Sequence, residues 1–295
     1  MKVYDSLTGA IADQMGNGLK IQNRMMVSGG DINDAYCLSM SDGNRLFLKT
    51  NAKKNLPFFE AEWIGIDAMR KTGAVTVPRL YAMGKDSDRA FLLMEWIEST
   101  RPSAGYMEKL GHSLAQMHYS KTDPENGFGF QADNFIGANV QLNSPRETWI
   151  EFFRDMRLQP QMRMADHWLD TKQKSQCEFL LSHLDEFLTE PERPSLLHGD
   201  LWGGNVMPGP EGEPVLIDPA VYAGHHEADL AMTELFGGFG ETFYRAYNEV
   251  YPVDPGYKDR RDLYNLYHML NHLNLFGRGY LGSVDRILQR YEGDR

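Results

Sequence analysis

Leu196-Leu197-His198-Gly199-Asp200-Leu201-Trp202-Gly203-Gly204-Asn205-Val206 is a glycine-rich turn between apolar runs, with an asparagine five residues after an aspartate. The glycines allow a tight backbone path. Asp200 offers a carboxylate and Asn205 an amide oxygen. A turn closed by an Asx cap is the simpler reading, but it requires neither His198 nor the second amide. Thirteen residues after Asn205, Pro214-Val215-Leu216-Ile217-Asp218-Pro219 ends a short apolar strand on another carboxylate. Alone this is an Asp-Pro turn leaving a strand. After the first loop, at this distance, it supplies a second hard oxygen donor.

The Asp-to-Asn spacing matches the H-R-D-x-x-x-x-N catalytic loop of protein kinases, with Gly199 in place of the arginine. That chemistry needs one carboxylate facing an attacking hydroxyl. It also needs oxygen donors that hold a metal on the phosphates of ATP. Asp200 is therefore the expected catalytic carboxylate, and Asn205 and Asp218 are the expected Mg²⁺ ligands, since hard oxygens suit that ion. His198 is read as a brace for the loop, because a loop histidine often serves as a hydrogen-bond anchor.

Working back toward the N-terminus, Ala35–Met40 and Arg45–Lys49 read as a hairpin around Ser41-Asp42-Gly43-Asn44. Ser28-Gly29-Gly30-Asp31 lies before it, and backbone N–H groups at Gly29 and Gly30 can approach phosphate oxygens there. Lys49 ends a strand, where a phosphate-pairing lysine is expected; such a residue is also commonly a solvated strand end.

A helix from about Phe58 to Arg70 carries an apolar stripe of Phe59, Trp63 and Ile66. Glu62 lies about 60° from the stripe's centre and Glu60 about 100° away on the other flank. Glu62 is the better partner for Lys49, although both glutamates also suit a solvated surface. Pro78–Tyr81 and Ala90–Ile97 read as strands split by a turn at 84–88. Met94, Glu95 and Trp96 then enter a connector whose backbone is expected to meet the adenine edge. Helical patterns begin after Pro102 and recur near 148–169, 173–188, 228–249 and 259–276.

The expected fold class is thus α+β: a small antiparallel-sheet lobe with one helix over 1–97, and a larger, mainly helical lobe over 98–295. The hinge is expected near 95–105. Thirty Lys and Arg against forty-one Asp and Glu give a net charge of −11 on 295 residues, which leaves no basic excess for nucleic acid. Cys37 and Cys177 are too few for a disulfide framework and match no zinc pattern. No run of eighteen apolar residues spans a membrane, and the opening MKVYDSLTGAIADQ lacks the apolar core of a signal peptide. A reduced, cytoplasmic protein is expected, with monomer as the default assembly.

At His198-Gly199-Asp200-Leu201-Trp202-Gly203-Gly204-Asn205 the chain resembles the fructosamine (ketosamine) kinase family, part of the aminoglycoside-phosphotransferase and choline-kinase-like branch of the protein-kinase fold. The H-G-D-L-W-x-G-N form is far more specific than H-G-D-x-x-x-x-N. Further matches include Phe59-Glu60-Ala61-Glu62, Leu110 to His118, Arg157-Leu158-Gln159-Pro160-Gln161, Tyr222 to Met232, and Leu235-Phe236-Gly237-Gly238-Phe239. They extend over nearly the whole chain.

The resemblance implies a two-lobed kinase-like fold and ATP-dependent phosphorylation of the sugar of a ketosamine, at O3, on a small amine or a glycated protein lysine. It makes Asp200 the base and gives Lys49, paired with Glu62, the ATP phosphates. Trp202, Tyr222, His225 and Glu227 are candidate acceptor-site residues, while Asp229 suits either that site or a structural anchor. Many family members carry cysteine in the Gly-Gly loop where Asp31 stands here, so the resemblance does not extend to redox control at that position. The rivals are a related kinase acting on an aminoglycoside, choline or a homoserine-like alcohol, and a non-catalytic nucleotide-binding protein. Retention of Lys49, Asp200, Asn205 and Asp218 argues against the latter.

Overall fold

The computed structural model describes residues 2–27, 32–120 and 127–292. The chain divides into two compact units: Met1–Tyr106 with Met207–Asp218, and Met107–Val206 with Pro219–Arg295.

In the first unit, β1 (Val3–Tyr4), β2 (Ile21–Val27), β3 (Asp34–Met40), β4 (Arg45–Ala52), β5 (Leu80–Asp86) and β6 (Arg89–Glu95) form one sheet in the order β1-β5-β6-β4-β3-β2. The expected hairpin is β3–β4, with Cys37 opposite Phe47. Two expectations need correction. The sheet is not wholly antiparallel, because β1 runs parallel to β5. There is also a second helix, α1 (Leu7–Met15), which Ser6 caps by accepting from the Gly9 N–H at 3.1 Å. Leu7, Ala10 and Ile11 of α1 are buried in a core with Leu38, Leu48, Phe91 and Leu93.

The expected helix is α2 (Leu56–Lys71). Its stripe buries Phe59 and Ile66 with Met83, Leu92 and Met94 from the sheet, and Trp63 packs partly against them. That seating fixes the phase of the helix and so the direction of Glu62. The strands Val206–Pro208 and Pro214–Leu216 pair with each other. Leu216 N–H donates to Thr76 O at 2.9 Å, Ser103 N–H to Gly212 O at 2.9 Å and Thr100 Oγ1 to Gly209 O at 2.7 Å. These bonds draw 207–218 into the first unit, a second crossing absent from a reading with one boundary.

The second unit holds α3 (Tyr106–Tyr119), α4 (Trp149–Phe152), α5 (Gln159–Met164), α6 (Thr171–Ser182), α7 (Leu184–Phe187), α8 (Glu227–Leu235), α9 (Glu241–Val250), α10 (Tyr257–Phe276) and α11 (Leu281–Arg290). A π-helical turn, Phe153–Leu158, joins α4 to α5 and buries Phe153, Met156, Arg157 and Leu158. The widened turn presents one broad apolar face to a core containing Trp149, Tyr222, Tyr264 and Tyr267. The helical pattern expected over 228–249 is broken after Leu235. Gly237 and Gly238 take φ of 74° and 98°, the left-handed region that stops a helix. Among the described residues, no helix is long and apolar enough to cross a membrane.

Candidate active site

Lys49 lies in β4, 7% exposed, and β4 is paired on both sides by β3 and β6. Its ammonium donates to Glu62 Oε1 at 2.7 Å and to Asp218 Oδ1 at 2.5 Å. Burial favours the neutral amine, but the carboxylates of Asp218 and Glu62 outweigh it and hold the Lys49 pKa above its ordinary value. Glu62, rather than Glu60, therefore meets the lysine. Asp218 has φ of 54°, a left-handed conformation that aspartate tolerates better than most side chains. Gly29, Gly30 and Asp31 lie outside the described residues.

Met94 is buried and Trp96 is half-buried, with the Arg45 guanidinium 5.6 Å from its ring centroid. Glu95 is already occupied on two counts. Its N–H donates to Arg79 O at 2.8 Å and its carboxylate accepts the Arg79 N–H at 3.0 Å.

In the second unit, the loop from His198 to Asn205 follows the short strand Ser195–Leu197 and is fastened by one buried carboxylate. Asp229, in the first turn of α8, accepts the His198 N–H at 2.7 Å and the Gly199 N–H at 2.9 Å. His118 Nε2 lies 3.1 Å from the same carboxylate, and His118 Nδ1 lies 2.7 Å from the Tyr247 hydroxyl. A carboxylate only accepts, so Nε2 carries a proton toward Asp229. Burial opposes ionisation of Asp229, but the hydrogen bond from His118, followed by the Gly199 N–H, overcomes it and holds its pKa below the usual range.

Gly199 has φ of 81°, and a Cβ placed there would lie 2.0 Å from Ala220 O. That contact explains why glycine stands where protein kinases place arginine. His198 is wholly buried; its carbonyl accepts the Ala220 N–H at 2.8 Å and its Nδ1 accepts the Asp200 N–H at 3.3 Å. Asp200 is half-buried. Asn205 Nδ2 donates to Asp200 O at 2.8 Å and to Asp200 Oδ2 at 3.2 Å, which leaves Asn205 Oδ1 as an acceptor.

The donor sets suit Mg²⁺. Asn205 retains an amide oxygen, and Asp218, whose side chain is 43% exposed, has Oδ2 without a hydrogen bond among the described residues. Both are hard oxygens, and neither is accompanied by a thiolate. His225, Glu227 and Asp254 also place potential ligand atoms within 4.8 Å of one another. There, however, Arg260 occupies both Glu227 oxygens, at 2.8 and 2.7 Å, so a guanidinium already fills the cation's place.

Three expected acceptor residues are instead core. Tyr222 is 2% exposed, stacked on Phe152, with the Arg157 guanidinium 3.8 Å from its ring centroid; burial pushes its hydroxyl up to about 12. Glu227 is wholly buried in the Arg260 ion pair, which ties α8 to α10. His225 is wholly buried against Trp149, and its Nδ1 accepts the Glu227 N–H at 3.2 Å. Local spacing put all three shortly after Asp218, but only tertiary packing decides which way a side chain faces. Trp202 differs in being 42% exposed. His118 and Arg157 were legible only as parts of the family pattern, and their roles depend on long-range partners.

Burial lowers the pKa of His225 to about 3, of His226 to about 2 and of His268 to about 3. Unfolded, each titrates near the ordinary histidine value of 6.5. Between about pH 3 and 6.5 the unfolded chain thus binds protons that the folded chain refuses. Stability rises with pH across that window and levels off above it. At pH 5.5 the three together cost about 4 kcal/mol, so Tm should fall by about 6 °C between pH 7.5 and 5.5. Among the described residues, neither ring nitrogen of His226 has a hydrogen-bond partner. His226→Phe should therefore flatten the slope by about one proton, whereas a Tm independent of pH over that range would contradict the burial account.

The fructosamine kinase family profile matches residues 3–292. A protein-ribulosamine 3-kinase of the rice chloroplast (Oryza sativa subsp. indica) is 40% identical over 94% of this chain and 80% of its own length. A protein of Synechocystis named a probable ketoamine kinase is 38% identical over 97% of this chain and 96% of its own length. The crystal structure of a provisionally named fructosamine-3-kinase from Thermobifida fusca is 31% identical, with a TM-score of 0.84, covering 98% of this chain and 99% of that one. With match and fold extending over nearly its full length, the chain belongs to the fructosamine kinase family: it is an ATP-dependent kinase with a protein-kinase-like fold.

Proposed function

We propose that the protein transfers the γ-phosphoryl group of ATP to O3 of a ketosamine sugar, with ribulosamines and fructosamines as the acceptor class. The carrying observation is the H-G-D-L-W-G-G-N loop, in which Asp200 and Asn205 are joined by hydrogen bonds and Asp229 holds the loop backbone. Similarity to the protein-ribulosamine 3-kinase supports the acceptor class. Asp200 orients the acceptor hydroxyl and takes its proton as the oxygen attacks the γ-phosphorus. Lys49, held by Glu62, pairs with the α- and β-phosphates. Mg²⁺, when bound, neutralises phosphate charge, and Asn205 and Asp218 are its proposed ligands. Positioning and charge neutralisation supply most of the rate in such a reaction.

An O3 ester has a consequence that can be measured. Enolisation of the C2 ketone toward C1 allows inorganic phosphate to leave from C3, and hydrolysis then frees the amine. With ribulosyl-lysine and ATP, phosphorus-coupled NMR should first show an ester on C3. Equal amounts of lysine and inorganic phosphate should follow. A stable ester on the terminal carbon would refute the assignment to O3.

A further inference from the structure

Arg157 is wholly buried on the widened helical turn Phe153–Leu158. Nearby, Arg146 and Arg154 both pair with Asp155, at 3.1 and 2.8 Å, yet among the described residues no ion pair includes Arg157. A cation sealed from water without a carboxylate is costly. Carbonyls, an amide and ring faces stand in for the counter-charge. One Nη donates to Leu142 O at 2.5 Å and to Met156 O at 3.0 Å, and the other donates to Asn143 Oδ1 at 2.8 Å. The guanidinium carbon lies over Tyr222, 3.8 Å from its ring centroid, and 5.6 Å from that of Tyr267.

Tyr222 leads from this cation to the catalytic loop. It pairs with Leu197, the last residue of the strand that enters the loop. Its Cε1 would lie 3.3 Å from a Cβ on Gly199, so the ring rests against that glycine. The backbone just before Tyr222 is bonded as well. Ala220 N–H donates to His198 O, Ala220 O accepts from Gln141 Nε2 at 2.9 Å, and Val221 O accepts from Asn134 Nδ2 at 2.7 Å. Tyr267 completes the set by donating its hydroxyl to Gln141 Oε1 at 2.7 Å. Burial raises the pKa of that hydroxyl, Arg157 works against the rise and Asp200 works with it, so both charges act on one ring. The 198–199 backbone thus has two supports, Asp229 and the 220–222 stretch.

We propose that Arg157 is a positioning residue for phosphoryl transfer: a buried clamp that fixes the Tyr222 ring and the 220–222 backbone against His198 and Gly199, and so holds Asp200 in place. This role rests on Asp200 being the base of the proposed reaction. Widened helical turns recur at functional sites, and this one aims the guanidinium inward. Gly199 has no side chain of its own to fill the space beside it, so the Tyr222 ring sets where the loop backbone lies. A ring released from Arg157 can tilt, and the loop can follow it. A misplacement of about 1 Å in a catalytic group costs about a hundredfold in rate. Lys49 and Glu62 make none of these contacts; they bond to each other and to Asp218. Loss of the clamp should therefore fall on kcat rather than on the affinity for ATP.

Arg157→Met keeps the reach of the side chain and removes its charge and its donors. With ribulosyl-lysine and ATP, well below the melting temperature, kcat should fall about fiftyfold and the KM for ATP should stay within about threefold. Hydrogen exchange read by mass spectrometry should quicken about tenfold in peptides covering 197–201 and 220–222, while the peptide covering α11, 281–290, keeps its wild-type rate. Tyr222→Phe preserves the aromatic face and should keep kcat within about threefold. Tyr222→Leu should lose as much as Arg157→Met, and the double variant little more than either alone; should Arg157→Met fail to fold, the contrast between the two Tyr222 variants carries the same test. A kcat within threefold of wild type in folded Arg157→Met would overturn the clamp, as would equal quickening in α11 or multiplicative losses in the double variant. A wild type that phosphorylates no ribulosyl or fructosyl amine would refute the proposed reaction instead, and the exchange pattern would still decide the clamp.

Discussion

Asp200→Asn is expected to lower kcat by about a thousandfold or more while leaving the affinity for ATP within about threefold. The substitution keeps the size of the side chain and its place in the loop, where Asn205 Nδ2 bonds to the Asp200 carbonyl as well as to its carboxylate. The backbone half of that contact survives. What is lost is the only charged acceptor that this loop offers a substrate hydroxyl. General-base assistance contributes about 10² to 10⁴ in rate, which sets the size of the effect. ATP is expected to depend on Lys49, Glu62 and Asp218, which form their own ion-pair cluster within the first unit, so its binding should persist. Single-turnover kinetics with a nucleotide titration separate the two quantities. A kcat within tenfold of wild type would mean that Asp200 is not the base.

The second large effect belongs to a residue that need not touch any substrate. Asp229→Ala removes the acceptor of the His198 and Gly199 amides and of His118. All of these groups are buried, and each unpaired donor costs about 1–3 kcal/mol. The total is a large part of the 5–15 kcal/mol that holds a typical domain. A fall in Tm of about 5–15 °C is expected, with kcat reduced at least a hundredfold at temperatures where the variant remains folded. Asp229→Asn should be intermediate: its oxygen can accept one amide, but its NH₂ must then face another donor. Equal Tm values for Asp229→Ala and wild type would show that the loop is held by something else.

The β3–β4 hairpin, α2 with its stripe, and the β5–β6 pair were all legible, because each is defined by local periodicity and nearby turn residues. The phase of α2 was enough to prefer Glu62 over Glu60. α1 escaped because it is short and is stabilised by tertiary burial of Leu7, Ala10 and Ile11. The parallel β1–β5 pair joins segments about eighty residues apart and leaves no local trace. In the 198–205 loop, the spacing that singled out Asp200 and Asn205 is also a contact, since Asn205 Nδ2 bonds to both the carbonyl and the carboxylate of Asp200. Tyr222, His225 and Glu227 were misplaced because proximity along the chain says nothing about facing. Tyr222 turns toward Arg157, and Glu227 toward Arg260, more than thirty residues away. The same limit hid the role of His118, which lies 111 residues from Asp229.

The most direct test of the account is ATP-dependent turnover on ribulosyl-lysine, fructosyl-lysine, a simple ketose, choline and kanamycin, with Asp200→Asn run in parallel. Phosphorylation confined to the two ketosamines and lost in the variant is the predicted result. Turnover of choline or kanamycin, with none on either ketosamine, would contradict it.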